Sequence, residues 1–414
     1  MKKSAEEIKI LIQSKLKSSN LILWGYNEKA KLFFSDYKDI YQIKACVTEQ
    51  KEHPDYFDDT RNIPVISWDK YEMDENDYIL IFAAPYVHIE NQILASGLKI
   101  FEEYVDSSVV NVILSNKKVA IMAGNCQTGA ICDFLQEVKG FTDEYMLLRF
   151  RTHYWKSRWS VKFLCYIKNL CDLYICMQHE TDDIMFYGTD ELPENCKIIT
   201  IPSALTRLYW PQMGIGWRSA KNEYFLKWMA TNGHGPFEYG DTNLNEMIRK
   251  GTPVDEIIKR LTSEDFYSKE QVERHIEMTM RTLEYEEDRC DIKLLPYIRE
   301  NYQEKMLYRD MGHMQSCLIW EAVKLILKYL HMDPAEAEEM ERKKSNPNCR
   351  NYEGHCTEFP VYPSVAKHMG LKWYREDMLY DVTFYNGRKK MTFEQYISAY
   401  VDICSKQKQI FEEW

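Results

Sequence analysis

Apolar residues recur at helical spacing over residues 4–17, where Ile8, Leu11, Ile12 and Leu16 share one face. A short apolar run, Asn20–Trp24, follows and ends at Gly25. A helix pattern over 29–34, strands over 42–47, 63–66 and 78–82, and a helix over 89–96 continue the alternation. Strands alternating with helices predict a parallel sheet with crossover helices. This unit closes near 105–116, where Asp106-Ser107-Ser108 and Ser115-Asn116-Lys117-Lys118 read as a polar join.

The alternation then restarts. Residues 118–123 form a buried-type strand, 124–127 a turn, and 128–138 a helix with Ala130, Ile131, Phe134, Leu135 and Val138 on one face. Further strands are expected at 173–177 and 198–201. Residues 218–310 read as mostly helical, with the clearest period at 256–261 and 269–285, and 317–330 is another strong helix. The charged stretch 333–359, with Pro334 and Pro347, reads as an exposed loop. A small element ending in a helix over 393–411 completes the chain.

Composition narrows the class. The 414 residues exceed one average domain, and 45% are apolar, enough for a real core. A net charge of -11 argues against a nucleic-acid binder, which needs a basic face for phosphates. No run of about 18 apolar residues is present, so no membrane-spanning helix is expected. The first residues carry charges within their apolar part and no small-residue cleavage site, unlike a secretory signal. A cytoplasmic protein is therefore expected, and its twelve scattered cysteines should be reduced thiols. These properties suit an enzyme or a small-ligand binder.

Two turns carry candidate chemistry. The first, Gly25 to Ala30, sits where a dinucleotide fingerprint would, with Glu49 ending the second strand as a candidate ribose ligand. Asn27 occupies the position where a second glycine normally lets the backbone approach a pyrophosphate. A Rossmann-like domain without nucleotide is the alternative. The second turn, Gly124-Asn125-Cys126-Gln127, puts a cysteine between a buried strand and a helix. The helix start aims backbone N–H groups and positive potential at that point, favouring a thiolate or an oxyanion. Gly124 permits the tight turn, and Asn125 and Gln127 offer side-chain donors or simply hold it.

A thiol nucleophile needs a base, and the base an orienting group. Among ten histidines, His313 stands in Asp310-x-x-His313 just before a long helix. A carboxylate three residues back on such a loop can reach Nδ1 and set the tautomer. His179, beside Gln178 at the end of a predicted strand, is the second candidate base. Arg149, Arg151, Lys156 and Arg158 form a basic group in an acidic chain, suited either to phosphates or to a solvated face. Aromatic residues between 153 and 218, Trp155, Trp159, Tyr209, Trp210 and Trp217 among them, suit ring stacking or core packing. His234 lies in a glycine-flanked turn that reads as a plain loop, and Cys349, His355 and Cys356 match no common zinc spacing. No metal site is expected.

A nucleophile after the first strand of an α/β unit, with Asp-x-x-His near its end, is the chain order of SGNH-type hydrolases, with cysteine in place of serine. The turn Gly124-Asn125-Cys126-Gln127 resembles that of the WcbI-like polysaccharide biosynthesis enzymes. So do, in order, the 174–179 strand, 188–192 leading into 198–202, Tyr209-Trp210-Pro211 and the Asp310–His313 loop, where Met314 replaces the family's proline. The likeness runs over roughly residues 117–330, while residues 1–115 resemble Rossmann-like modules attached to sugar-modifying enzymes. The resemblance implies an α/β protein in three parts: a Rossmann-like parallel-sheet domain over 1–115, an SGNH-like α/β/α domain over 116–332, and a loop with a helical appendage over 333–414. It also implies acyl-CoA as donor substrate, a sugar or polysaccharide hydroxyl as acceptor, and Cys126, His313 and Asp310 as catalytic residues. The basic group with Gln178 and His179 would contact the coenzyme. A homo-oligomer is compatible with this reading. A carbohydrate esterase of the same fold and a non-catalytic nucleotide- or CoA-binding protein are the alternatives.

Overall fold

Several helices begin where a side chain satisfies a free backbone N–H group. In the computed structural model, which describes residues 4–49, 54–58, 63–82, 86–151, 161–177, 192–215, 239–344, 358–384 and 387–405, Ser4 and Glu7 form a capping box for the first helix. The elements in order are α1 (Ala5–Ser18), β1 (Asn20–Trp24), α2 (Glu28–Tyr37), β2 (Ile43–Thr48), β3 (Tyr56–Asp58), β4 (Ile63–Ser67), β5 (Asp77–Ile81), α3 (Tyr86–Ala95), β6 (Tyr104–Asp106) and α4 (Ser107–Leu114). Then come β7 (Lys118–Gly124), α5 (Cys126–Leu135), α6 (Lys139–Glu144), β8 (Tyr145–Arg151), α7 (Val161–Lys168), β9 (Cys171–Met177), β10 (Lys197–Ile201), β11 (Met213–Ile215) and β12 (Tyr239–Asp241). The rest are α8 (Thr242–Arg249), α9 (Val254–Leu261), α10 (Lys269–Asp288), α11 (Leu295–Asn301), β13 (Tyr308–Asp310), β14 (His313–Met314), α12 (Ser316–Tyr329), α13 (Ala335–Lys344), α14 (Pro363–Met369), β15 (Tyr380–Phe384), β16 (Gly387–Met391) and α15 (Phe393–Ser405). The chain divides into two compact units. One takes Met1–Asn125, Phe141–Cys176 and Thr181–Ile198, the other Cys126–Gly140, Met177–Glu180 and Ile199–Trp414.

In the first unit a six-stranded sheet has the order β3-β4-β2-β1-β5-β6. All its neighbours pair in parallel except the β3–β4 edge. Taken in chain order, the parallel strands run 3-2-1-4-5, the doubly wound arrangement, with the order reversing between β1 and β5. The α/β alternation read from the sequence is therefore present. Ile22, Leu23, Trp24, Ile79 and Leu80 are fully buried, as strands covered on both faces must be. A second parallel group has β7 between β8 and β9.

Two segments differ from expectation. Residues 105–114 are no polar join; only 115–117, between α4 and β7, are. Asp106 ends β6 and caps α4, its Oδ1 accepting the Ser108 N–H at 2.8 Å, and Val109, Val110, Val112 and Ile113 are buried. The polar triplet is a helix start, and burial pushes the Asp106 carboxyl up to about 6. Residues 335–344, expected in a loop, form α13. Glu336 accepts the Lys139 and Gly140 N–H groups at 2.9 Å each, and Glu341 pairs with Lys324 at 3.0 Å, so the charges hold a helix in place. Residues 345–357 and 406–414 lie outside the described residues.

In the second unit α5 and α12 pack together, with Phe134 and Trp320 rings 4.8 Å apart between centroids. Tyr209 and Trp210 are fully buried: Trp210 Nε1 donates to the Phe359 carbonyl at 2.9 Å, and the Tyr209 hydroxyl bonds the 302–307 backbone. These two aromatics serve the core.

Candidate active site

The chemistry gathers on a hairpin. Strands β13 and β14 pair antiparallel with Asp310 opposite His313, leaving Met311-Gly312 as a two-residue turn. In such a hairpin residues i and i+3 face each other, so the Asp-x-x-His spacing brings carboxylate and imidazole together. His313 Nδ1 lies 2.8 Å from Asp310 Oδ1 and 2.9 Å from Oδ2, and the Gly312 N–H donates to Oδ1 at 2.7 Å. An ionised carboxylate can only accept, so Nδ1 carries the hydrogen and Nε2 keeps its lone pair. The Asp310 side chain is 1% exposed and that of His313 12%, so the imidazole alone reaches outward.

Cys126 opens α5, directly after Gly124 and Asn125. Gly124 takes φ 157°, a backbone conformation that residues with side chains rarely adopt. The Cys126 Sγ–H lies 3.9 Å from the Gly312 carbonyl, and Gln127 Nε2 donates to the same oxygen at 3.1 Å. The turn carbonyl thus ties the start of α5 to the hairpin that carries His313. Gln127 is 1% exposed, so this amide anchors the turn. Packing supplies the approach: α12 begins two residues after β14, and the Gln315 N–H donates to the Leu307 carbonyl at 2.8 Å, closing the hairpin base.

Of the ten described cysteines only Cys126 is exposed. Burial pushes the Cys46 thiol up to about 12 and raises those of Cys171 and Cys404 too. Those three are poor nucleophiles. All ten described cysteines are reduced thiols, as the composition suggested.

The other expected site residues distribute unevenly. Arg149 and Arg151 lie on β8, opposite Met122 and Gly124 in register, at the C-terminal end of the strand. Lys156, Arg158, Gln178, His179, Trp155, Trp159, Trp217, His234, Cys349, His355 and Cys356 lie outside the described residues. Asn125 is buried. At the first turn Gly25 takes φ 124°, but Asn27 is engaged: its Oδ1 accepts the Ala30 N–H at 3.1 Å, and its Nδ2 donates to the Phe82 carbonyl at 3.0 Å. That amide spans from the end of β1 to the end of β5, the pair between which a doubly wound sheet opens its crevice. Glu49 is exposed just past β2. Among the described residues no group of three or more His, Cys, Asp or Glu side chains is placed to hold a metal ion, and no helix is long and apolar enough to cross a membrane.

Sequence reasoning did not foresee the Gly312 carbonyl as the meeting point, nor β8, nor His275. Burial lowers the pKa of His275, whose Nε2 sits 2.8 Å from the Arg207 carbonyl.

A comparison with curated proteins gives no match. One solved structure is similar in fold, with a TM-score of 0.53 and 13% identity over 72% of this chain and 98% of that one. That protein is described as WcbI, a novel polysaccharide biosynthesis enzyme, in its native form without a disulfide bond between coenzyme A and a cysteine. The family model for the polysaccharide biosynthesis enzyme WcbI matches residues 119–335, over half the chain and including the Cys126 turn and the Asp310–His313 hairpin. The chain belongs to the WcbI family of polysaccharide biosynthesis enzymes.

Proposed function

We propose that the protein is a coenzyme A-dependent O-acyltransferase, with acetyl as the acyl group, acting on a sugar hydroxyl in polysaccharide or glycoconjugate biosynthesis. The observation that carries this reading is the Asp310–His313 pair on one hairpin whose turn carbonyl lies beside the exposed Cys126 thiol. The similar structure, though described as free of a disulfide bond between coenzyme A and a cysteine, is described in terms of those two groups, which fits a coenzyme A thiol and a protein thiol acting near one another here.

The steps follow from the tautomer. Nε2 of His313 takes the Cys126 proton, and the thiolate attacks the acyl carbon of acyl-CoA. The C–S bond to coenzyme A breaks, its thiolate takes the proton back, and the acyl group rests on Cys126 as a thioester. Exchange of one thioester for another is nearly balanced, so the step needs little driving force. A sugar hydroxyl then gives its proton to Nε2 as its oxygen attacks the thioester, and the ester leaves as Cys126 is reprotonated. Backbone N–H groups at the start of α5 face the developing oxyanion in both steps. Asp310 holds the imidazole upright and stabilises its positive charge. Arg149 and Arg151 are proposed for the donor phosphates on charge alone.

The test is to mix the protein with acetyl-CoA, quench, and weigh it intact. An acetyl adduct that disappears in Cys126→Ser and forms slowly in His313→Ala supports the mechanism. Acyl transfer at the full rate by Cys126→Ala would remove Cys126 from the chemistry, and an adduct lost to water regardless of added glycoside would point to an esterase.

A further inference from the structure

Beside the catalytic hairpin lies a cleft of about 360 Å³, a size suited to a small ligand. One wall is a face of α10, where His275, Met278, Thr279 and Thr282 follow helical spacing. The facing wall comes from the chain before β11, with Leu205, Arg207 and Pro211. Two hydrogen bonds fix the walls: His275 Nε2 to the Arg207 carbonyl at 2.8 Å, and the Thr206 N–H to the Met311 carbonyl at 2.9 Å. Met311 itself lines the cleft, and it is the first residue of the hairpin turn. Two residues on is His313, so wall and base are at most about 7 Å apart along the backbone.

We propose that this cleft receives the acceptor carbohydrate. The inference rests on the acyltransfer reading above and adds where the acceptor docks. A sugar ring has apolar C–H faces and a rim of hydroxyls, and this lining is mixed in the same way. Leu205 and Met278, both in the lining, are 38% and 60% exposed, large values for apolar side chains, and Pro211 and Met311 extend that apolar wall. The Thr279 hydroxyl and the Arg207 guanidinium supply partners for ring hydroxyls, and Thr282 Oγ1, which donates to the Met278 carbonyl at 3.1 Å, can still accept. The donor is a poor match: among the described residues no Phe, Tyr or Trp lines the cleft to stack an adenine, and Arg207 is the one Lys or Arg for several phosphates.

The test is saturation-transfer NMR of the whole protein with the methyl α-glycosides of glucose, galactose and mannose, alone and with excess coenzyme A. At least one glycoside should take up saturation, keep it in the presence of coenzyme A, and bind about tenfold more weakly to Thr279→Trp, which fills the cleft. Met278→Glu, at an exposed position, should weaken the same glycoside and serves if the tryptophan variant does not fold as judged by circular dichroism. Three results overturn the proposal: no glycoside signal with the wild-type protein, a signal undiminished in a folded variant, or a signal displaced by coenzyme A. Failure of acetyl loading at Cys126 would sink the transferase reading separately, since the glycoside signals are read without it.

Discussion

Replacing Asp310 by asparagine tests whether the hairpin works as a base and its positioning group. The carboxylate accepts from Gly312 N–H at 2.7 Å and from His313 Nδ1–H at 2.8 and 2.9 Å. The backbone donor is fixed, so the asparagine oxygen should take the Oδ1 place and the amide nitrogen the Oδ2 place. A donor then faces Nδ1 where an acceptor stood, and the imidazolium loses its countercharge. In Ser-His-Asp triads the same exchange costs about 10⁴-fold, because the wrong tautomer is selected. Here the Oδ1 position still accepts, so a smaller loss of about 10² to 10³-fold is expected, ~3–4 kcal/mol of barrier. Folding should weaken by about 1–3 kcal/mol, the range for losing a charged acceptor in a buried site. The assay is the single-turnover rate of acetyl adduct formation at Cys126, followed by intact mass across pH, with thermal melting as the fold control. A positioning role predicts both a slower rate and a shifted pH profile. A folded Asp310→Asn protein that loads acetyl at the wild-type rate with an unchanged profile would refute the reasoning.

Gln127→Ala removes the 3.1 Å bond to the Gly312 carbonyl at a buried site, which should cost about 1–3 kcal/mol of stability and slow acetyl loading; a fast, equally stable variant would show that the anchor is idle. Trp320→Ala empties a position 1% exposed against Phe134 and should destabilise by about 3–5 kcal/mol in chemical denaturation. Asp241 is buried, caps α8 and accepts the Tyr362 hydroxyl at 2.7 Å, and burial raises its carboxyl to about 7. Between its ordinary value and about 7 the folded protein holds a proton that the unfolded chain has released. Stability from this group is therefore full at low pH and lost as pH rises toward 7, by on the order of 1 kcal/mol per pH unit. Asp241→Asn should flatten that slope, and parallel melting curves from pH 5 to 7.5 for the two proteins would contradict it.

What could be read from the chain depends on whether a residue's partner is near in sequence. The strands at 20–24 and 118–124 and the helices α5, α10 and α12 announce themselves by apolar period, since one covered face is a local property. The same rule explains the misread segments. Asp106-Ser107-Ser108 looks like a linker because a capping triplet and a linker share residue types, and only the burial of Val109 and Val110 separates them. The charges of 335–344 look solvated until Glu336 and Glu341 are seen to bond α6 and α12. At the site, Asp-x-x-His was legible as a spacing, but not as a hairpin: β13 has three residues and β14 two, too few to show alternation, and Met311-Gly312 lacks the usual Asn-Gly signal. Yet the hairpin gives the spacing its force, for it sets Asp310 opposite His313 on adjacent strands whatever lies beyond. The meeting of Cys126 with Gly312 is of another kind. Those residues are 186 apart, and nothing between them encodes their contact; it follows from α5 packing on α12, whose N-terminus the hairpin feeds. A motif search can therefore find the nucleophile and the base separately, while the distance between them belongs to the core beneath.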